Sequence, residues 1–213
     1  MFIHKTNFIM RALYPDFIWR IPNNEKEIFL TFDDGPIPEV TEFVLEELNK
    51  YQAKATFFCI GGNIEKYPNV FQQVVNQHHT VGNHTFNHLK GWDTHDDTYI
   101  ENFKKCEDLM VNLQLKRHPL ATLFRPPFGR IKRSQAKEIL KSHEIVMWDV
   151  LTGDYDQNLS KERVLSKTLQ HTEQGSIVLF HDSIKASKNM MYTLPRVLAH
   201  FSEQGFSFKS INL

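Results

Sequence analysis

Apolar runs of four to six residues recur along the chain. Each is closed by turn residues and followed by a stretch whose apolar positions return at helical spacing. The first run is 27–32, EIFLTF, and after Pro38 the segment 39–51 repeats Val40, Phe43, Val44 and Leu48 as one helix face. The next is 55–60, ATFFCI, followed by Gly61-Gly62 and a helix through 70–77. A short strand at 79–83 precedes a long amphipathic helix at 96–113, and a strand at 121–124 precedes a helix at 134–142. Runs at 145–150 and 176–180 alternate with helices at 160–172 and 189–205, and 206–213 supplies a last strand. Ser160, with Glu162 in the next turn, suits the start of the 160–172 helix. Seven strands thus alternate with six helices. Such alternation implies parallel strands whose faces are covered by helices. An open doubly wound sheet and a closed (β/α) barrel both satisfy it.

Composition narrows the class without naming a function. The 213 residues suffice for one large domain, and no linker, repeat or low-complexity tract divides them. The expected organisation is an N-terminal extension, 1–26, packed on a single domain, 27–213. Lys and Arg total 25, balanced by 25 Asp and Glu. That balance gives no argument for nucleic acid or an anionic membrane as partner. Cys59 and Cys106 form no CxxC pair and read as small core hydrophobes. Lys5, Asn7 and Arg11 interrupt any apolar stretch of a secretory leader, and no run approaches about 18 apolar residues. The expectation is a cytoplasmic protein without a transmembrane segment. Its aromatic start (Phe8, Tyr14, Phe17, Trp19) packs on the domain rather than on a membrane.

Polar residues capable of chemistry fall where the strands end. Asp33-Asp34 follow the first strand, His84 and His88 the third, Arg125 the fourth, Asp149 and Asp154 the fifth, and His181-Asp182 the sixth. Parallel α/β folds build their sites at the carboxyl ends of their strands, so these groups should meet on one face. Two histidines four apart converge on one ion across a helical turn or within a tight loop, and a carboxylate completes a common divalent-metal set. A lone pair of this kind is weak among 11 histidines; an acidic pair at a neighbouring strand end strengthens it.

An acid pair at the end of an apolar strand then has a reason. One aspartate neutralised by a cation ceases to repel its neighbour, which is left to take a proton from water polarised by the ion. A helix N-cap before Gly-Pro explains one carboxylate but not two. Arg125, ahead of the rigid Pro126-Pro127, can hold the free aspartate by paired hydrogen bonds; its plainer reading is a surface loop arginine. His181 reads equally as a core imidazole, a further ligand or a general acid.

Taken together and in order, TFDDGP, HTFNH, RPPFG and LFHD resemble the polysaccharide deacetylases (the NodB-homology domain, carbohydrate esterase family four) over roughly residues 27 to 208. The resemblance implies a distorted, incomplete (β/α) barrel with about seven parallel strands. It implies removal of acetyl groups from sugars with one divalent cation, most commonly zinc. Asp33 would be the catalytic base, Asp34, His84 and His88 the metal ligands, and Arg125 the group orienting Asp33. His181 would protonate the leaving group, and the Phe128 N–H would help hold the oxyanion. One motif departs: where the family shows an acid, two residues, then Asp-Trp, this chain has Leu151 and then Asp154-Tyr155. Tyr155 still offers an aromatic wall to a sugar. Asp154 is the expected tuning acid for Arg125 or His181, with Asp149 in reserve. Two alternatives stand beside an acetylated-glycan substrate: hydrolysis of small cyclic amides or imides at the same site, and a non-catalytic glycan-binding protein.

Overall fold

The structure, a computed structural model, describes residues 4–114 and 122–212. β1 (Glu27–Asp33) sits at its centre and shows how strand periodicity builds both core and site. Side chains of a strand alternate between faces. Ile28, Leu30 and Phe32 join the helix-facing core, whereas Phe29 belongs to an interior cluster with Phe58, Leu123, Val146, Ile177 and Ile211. Thr31 and Asp33 continue the interior column above Phe29. The column runs from apolar to ionic along one strand.

Around β1 stand β2 (Thr56–Cys59), β3 (Thr80–Asn83), β4 (Leu123–Phe124) and β5 (Glu144–Ile145) on one side. β7 (Ile177–His181) and β6 (Val150–Leu151) stand on the other, and β8 (Ser207–Phe208) pairs the lower end of β1. All named pairings are parallel. Helices α2 (Val40–Lys50), α5 (Asp96–Gln114), α6 (Arg133–Ile139), α7 (Lys161–His171) and α8 (Ser187–Glu203) follow their strands, as the alternation requires. Ser160 caps α7, accepting from the Arg163 N–H. The chain is an α/β protein whose parallel sheet curls into an incomplete barrel.

Three departures from the sequence reading have physical causes. The run 145–150 is not one strand. Its start, β5, pairs β4 at one sheet edge and its end, β6, pairs β7 at the other. Between them the carbonyls of Val146 and Met147 accept from the Arg125 side chain, so a guanidinium rather than a strand fills that part of the wall. The helical stretch after Gly61-Gly62 is two helices, α3 (Gly61–Lys66) and α4 (Pro68–Asn76), because Pro68 cannot continue the first but starts the second well. The strands expected at 121–124 and 206–213 are each two residues long, as β4 and β8; Ala121 and Leu213 lie outside the described residues.

The N-terminal segment leans on the divided wall. Ile18 bridges Val146, Lys5 bridges Val150 and Arg20 bridges Ser176, while Phe17 and Trp19 are buried against Phe124, Ile131 and Met147. Asp149, buried between β5 and β6, accepts from Lys5 at 2.7 Å, from Arg11, and from Ser176 at 2.7 Å. A buried carboxylate needs such partners. Its role is to fasten this segment, so Asp149 is no reserve for tuning Arg125 or His181. Before β1 lies a short helix, α1 (Phe8–Leu13), and among the described residues no helix is long and apolar enough to cross a membrane.

Candidate metal centre and active site

Strand register brings the outermost polar groups to one level. Asp33 on β1 pairs in register with His181 on β7 and with Phe58 on β2. The next residue, Asp34, leaves the strand with φ of 82°, a left-handed conformation rare outside glycine. That turn places its carboxylate beside, not beneath, that of Asp33.

His84 and His88 reach the same point from a tight loop after β3, with Thr85 and His88 themselves at positive φ. Polar side chains hold the loop. Asn83 accepts from the Thr85 N–H at 2.8 Å, and Asn102 of α5 accepts from the N–H groups of Phe86 and Asn87, each at 2.9 Å. Nδ1 of His84 donates to the Arg125 carbonyl at 2.7 Å, which commits Nε2 to the site. From there Nε2 of His84 lies 3.7 Å from Asp34 Oδ1, and Nε2 of His88 lies 3.2 Å from it.

The donor atoms of Asp34, His84 and His88 all fall within 4.8 Å of one another. Two observations fit a cation among them. Oδ1 of Asp34 is buried and satisfies no hydrogen bond. Burial, outweighing the nearby Asp33 and Asp34, lowers His84 to about 4, which keeps the imidazole neutral as ligation demands. Burial alone would raise Asp34, but His88, His181 and His84 hold it well below the usual carboxylate range. A carboxylate oxygen and two imidazole nitrogens make a divalent-metal set that leaves positions open for other ligands.

Arg125 is wholly buried and spends its donors on four acceptors. Nη1 donates to Asp33 Oδ1 at 2.7 Å and to Thr31 Oγ1 at 2.8 Å, Nε to Val146 O at 3.0 Å, and Nη2 to Met147 O at 2.6 Å. Its guanidinium also lies 4.1 Å from the Phe58 ring centroid. With Oδ1 so held, Asp33 turns Oδ2 toward the histidines, 3.8 Å from His84 Nε2.

Across the cleft, Asp154 grips His181 twice, accepting from Nδ1 at 2.8 Å and, through its other oxygen, from the backbone N–H at 2.8 Å. Burial opposes charge on this ring, yet Asp154, with Asp34 and Asp33 further off, pushes His181 up to about 9. Asp154 meets His181 and not Arg125. The absent acid at Leu151 therefore leaves Arg125 with Asp33 as its sole ionic partner among the described residues; Leu151 itself lines the cleft.

The cleft above these groups measures about 710 Å³ and is walled by Trp148, Leu151, Leu179, Tyr155 and Phe128, with Lys90, Arg130 and Lys185 around its mouth. The Phe128 ring lies 4.5 Å from His88, takes φ of 60°, and is 58% exposed. Tyr155 stands edge-on to His181 at 4.9 Å. Asp33, Asp34, His84, His88, Phe128, Tyr155 and His181 line this cleft, and Arg125 and Asp154 support it from behind, whereas Asp149 lies apart from it on the N-terminal segment. Residues not anticipated are Thr31, Asn83, Asn102 and Trp148.

Comparison with known proteins agrees with this architecture. The polysaccharide deacetylase family model matches residues 20–148. A peptidoglycan-N-acetylglucosamine deacetylase of Bacillus cereus is 34% identical over 91% of this chain and 90% of its own length. A chitooligosaccharide deacetylase of Azorhizobium caulinodans is 32% identical over 81% of each. Other relatives are longer: the chain spans 38% of the peptidoglycan-N-acetylglucosamine deacetylase PgdA of Listeria monocytogenes. Among solved structures, a peptidoglycan N-acetylglucosamine deacetylase crystallised with a 4-naphthalen-1-yl-N-oxidanyl-benzamide superposes with a TM-score of 0.86 at 29% identity, over 97% of this chain and 95% of that one. A parallel α/β half-barrel with an Asp-His-His cluster beside a second aspartate defines a class, and the comparisons give it a name. The chain belongs to the polysaccharide deacetylase family, whose named members here are hydrolases of carbon–nitrogen bonds.

Proposed function

We propose that this protein is a metal-dependent deacetylase that hydrolyses the acetamido group of N-acetylated sugars in a glycan, with zinc as its cation. One observation carries the reading. Three ligand atoms converge within 4.8 Å while the adjacent acid, Asp33, is kept out of the set by Arg125. One acid holds charge and the other moves a proton.

Asp34, His84 and His88 would hold the cation, which when bound supplies Lewis acidity toward water and the acetyl carbonyl. Asp33 takes a proton from the attacking water at Oδ2, since Oδ1 is engaged by Arg125. Water oxygen bonds to the acetyl carbon, and the Phe128 N–H would donate to the developing oxyanion. His181, protonated and fixed at Nδ1 by Asp154, gives its Nε2 proton to the amide nitrogen as the C–N bond breaks. Acetate and a free amino sugar result. Trp148, Leu151 and Leu179 give the acetyl methyl an apolar wall.

A polymer or oligosaccharide fits better than a small cyclic amide. The cleft is open at its mouth, and exposed Phe128 and half-exposed Trp92, whose indole lies 5.1 Å from Arg130, offer flat faces beyond the reacting centre. Peptidoglycan fragments and chitooligosaccharides are therefore the first substrates to test. Acetate release should depend on metal and stop with a chelator, and Asp33→Asn should keep the metal yet lose nearly all turnover. Activity of that variant within a few-fold of the parent removes Asp33 from the base role. A non-catalytic glycan-binding protein would release no acetate with or without metal.

A further inference from the structure

Asp182 is the one buried acid near the cleft to which the reaction above gives no task. It is wholly enclosed, and both oxygens are taken by neutral donors: the Gly35 N–H at 3.0 Å and the Thr41 hydroxyl at 2.6 Å. Its own N–H donates to the Asp33 carbonyl at 3.0 Å. Burial pushes this carboxyl up to about 7. A buried carboxyl with both oxygens engaged restrains the groups that it touches.

What it touches is one peptide group. The Gly35 N–H belongs to the peptide that joins Asp34 to Gly35, and the carbonyl of the same peptide accepts from Asn63 Nδ2 at 2.7 Å. Asp182 and Asn63 thus hold the two ends of one peptide plane, immediately after a residue with φ of 82°. A left-handed conformation is costly for a non-glycine residue, so Asp34 keeps it only while its surroundings insist. Contact is close enough that a Cβ on Gly35 would fall 2.0 Å from Asp182 Oδ2.

We propose that Asp182 and Asn63 act as a clamp on the Asp34–Gly35 peptide, holding Asp34 in the turned conformation that aims its carboxylate at His84 and His88. They are positioning residues for the metal ligand and touch neither ion nor substrate. The clamp rests on the reading of Asp34 as a ligand. Released at either end, the peptide can rotate and Asp34 relax toward negative φ, drawing Oδ1 out of the cluster. Asp182→Asn leaves a single acceptor oxygen for two donors. Asn63→Ala removes the donor to the carbonyl from a half-buried position.

The test measures zinc affinity of the full chain by competition with a chromophoric chelator, together with kcat and KM at saturating zinc. Loss of a supporting residue typically weakens metal binding about 10–100-fold. Both variants should show a loss in that range, with kcat and KM restored to within a few-fold once zinc is in excess. A role confined to stabilising the loop would lower the unfolding midpoint but leave zinc affinity alone. Either variant binding zinc within twofold of the parent overturns the clamp. Should Asp182→Asn fail to fold, Asn63→Ala decides. A parent chain that binds no zinc refutes the metal site itself, a separate outcome.

Discussion

Removing the carboxylate behind His181 gives the most quantitative prediction. Asp154→Asn deletes the charge that, against burial, raises this imidazole to about 9. Without it the ring should titrate at or below its ordinary 6.5. A general acid works only when protonated, so activity falls as pH rises through this pKa. At pH 8 a group with pKa about 9 is about 90% protonated, while one at 6.5 is about 3% protonated, a ratio of about 30. At pH 5.5 both are about 90% protonated or more. The asparagine also supplies one acceptor where the carboxylate supplied two, which adds a loss from ring orientation that does not vary with pH. A cation on Asp34 lowers the ring's pKa in parent and variant alike, so the sign of the difference survives metal binding while the pH range in which it develops moves down. The assay is acetate release from an N-acetylglucosamine oligomer between pH 5.5 and 9, with metal saturating. The parent-to-variant ratio should grow about 30-fold from pH 5.5 to pH 8. A ratio independent of pH refutes Asp154 as the group that sets the acid's pKa.

Other substitutions test the supports. Arg125→Met leaves Asp33 buried without its cation and the Val146 and Met147 carbonyls without donors. It should cost about 3–5 kcal/mol in urea denaturation as well as activity. Gly82→Ala places a Cβ 2.6 Å from the Phe58 ring and 3.1 Å from the Leu123 carbonyl, so about 1–3 kcal/mol of stability should be lost with little change in metal content. Replacing Lys5 and Arg11 together by methionine strips Asp149 of two cations; unfolding should become easier by about 3 kcal/mol, and limited proteolysis should cut within the first 26 residues. His88→Ala should abolish stoichiometric zinc binding, measured by elemental analysis of the purified variant.

Much of this was written in the sequence because strand periodicity and site placement are the same pattern. The alternation that buries Phe29 inside the barrel also carries Thr31 and Asp33 to its upper rim, and β7 repeats it with Ile177, Leu179 and His181. Positions after strand ends therefore predicted the cleft. What escaped was whatever depends on three-dimensional closure. IVMWDV has the composition of one strand, and only the reach of Arg125, folded in from β4, shows why it divides between two sheet edges. The sequence favoured Asp154 over Asp149 as the tuning acid but showed the partner of neither. Asp149 is claimed by Lys5 and Arg11 from the distant N-terminus and Asp154 by His181, and neither contact has a local signature. The positive φ of Asp34, Thr85, His88 and Phe128 was equally unreadable, since none is glycine.

The central claim is that Asp34, His84 and His88 grip one divalent ion while Asp33 stays outside the coordination set. A crystal of the zinc-loaded protein, with anomalous scattering recorded on both sides of the zinc edge, addresses it most directly. The account predicts a single strong peak about 2.0–2.2 Å from one Asp34 oxygen and from Nε2 of each histidine, with Asp33 still paired to Arg125 and beyond bonding distance. No peak among these three side chains, or an ion bound through Asp33, would contradict it.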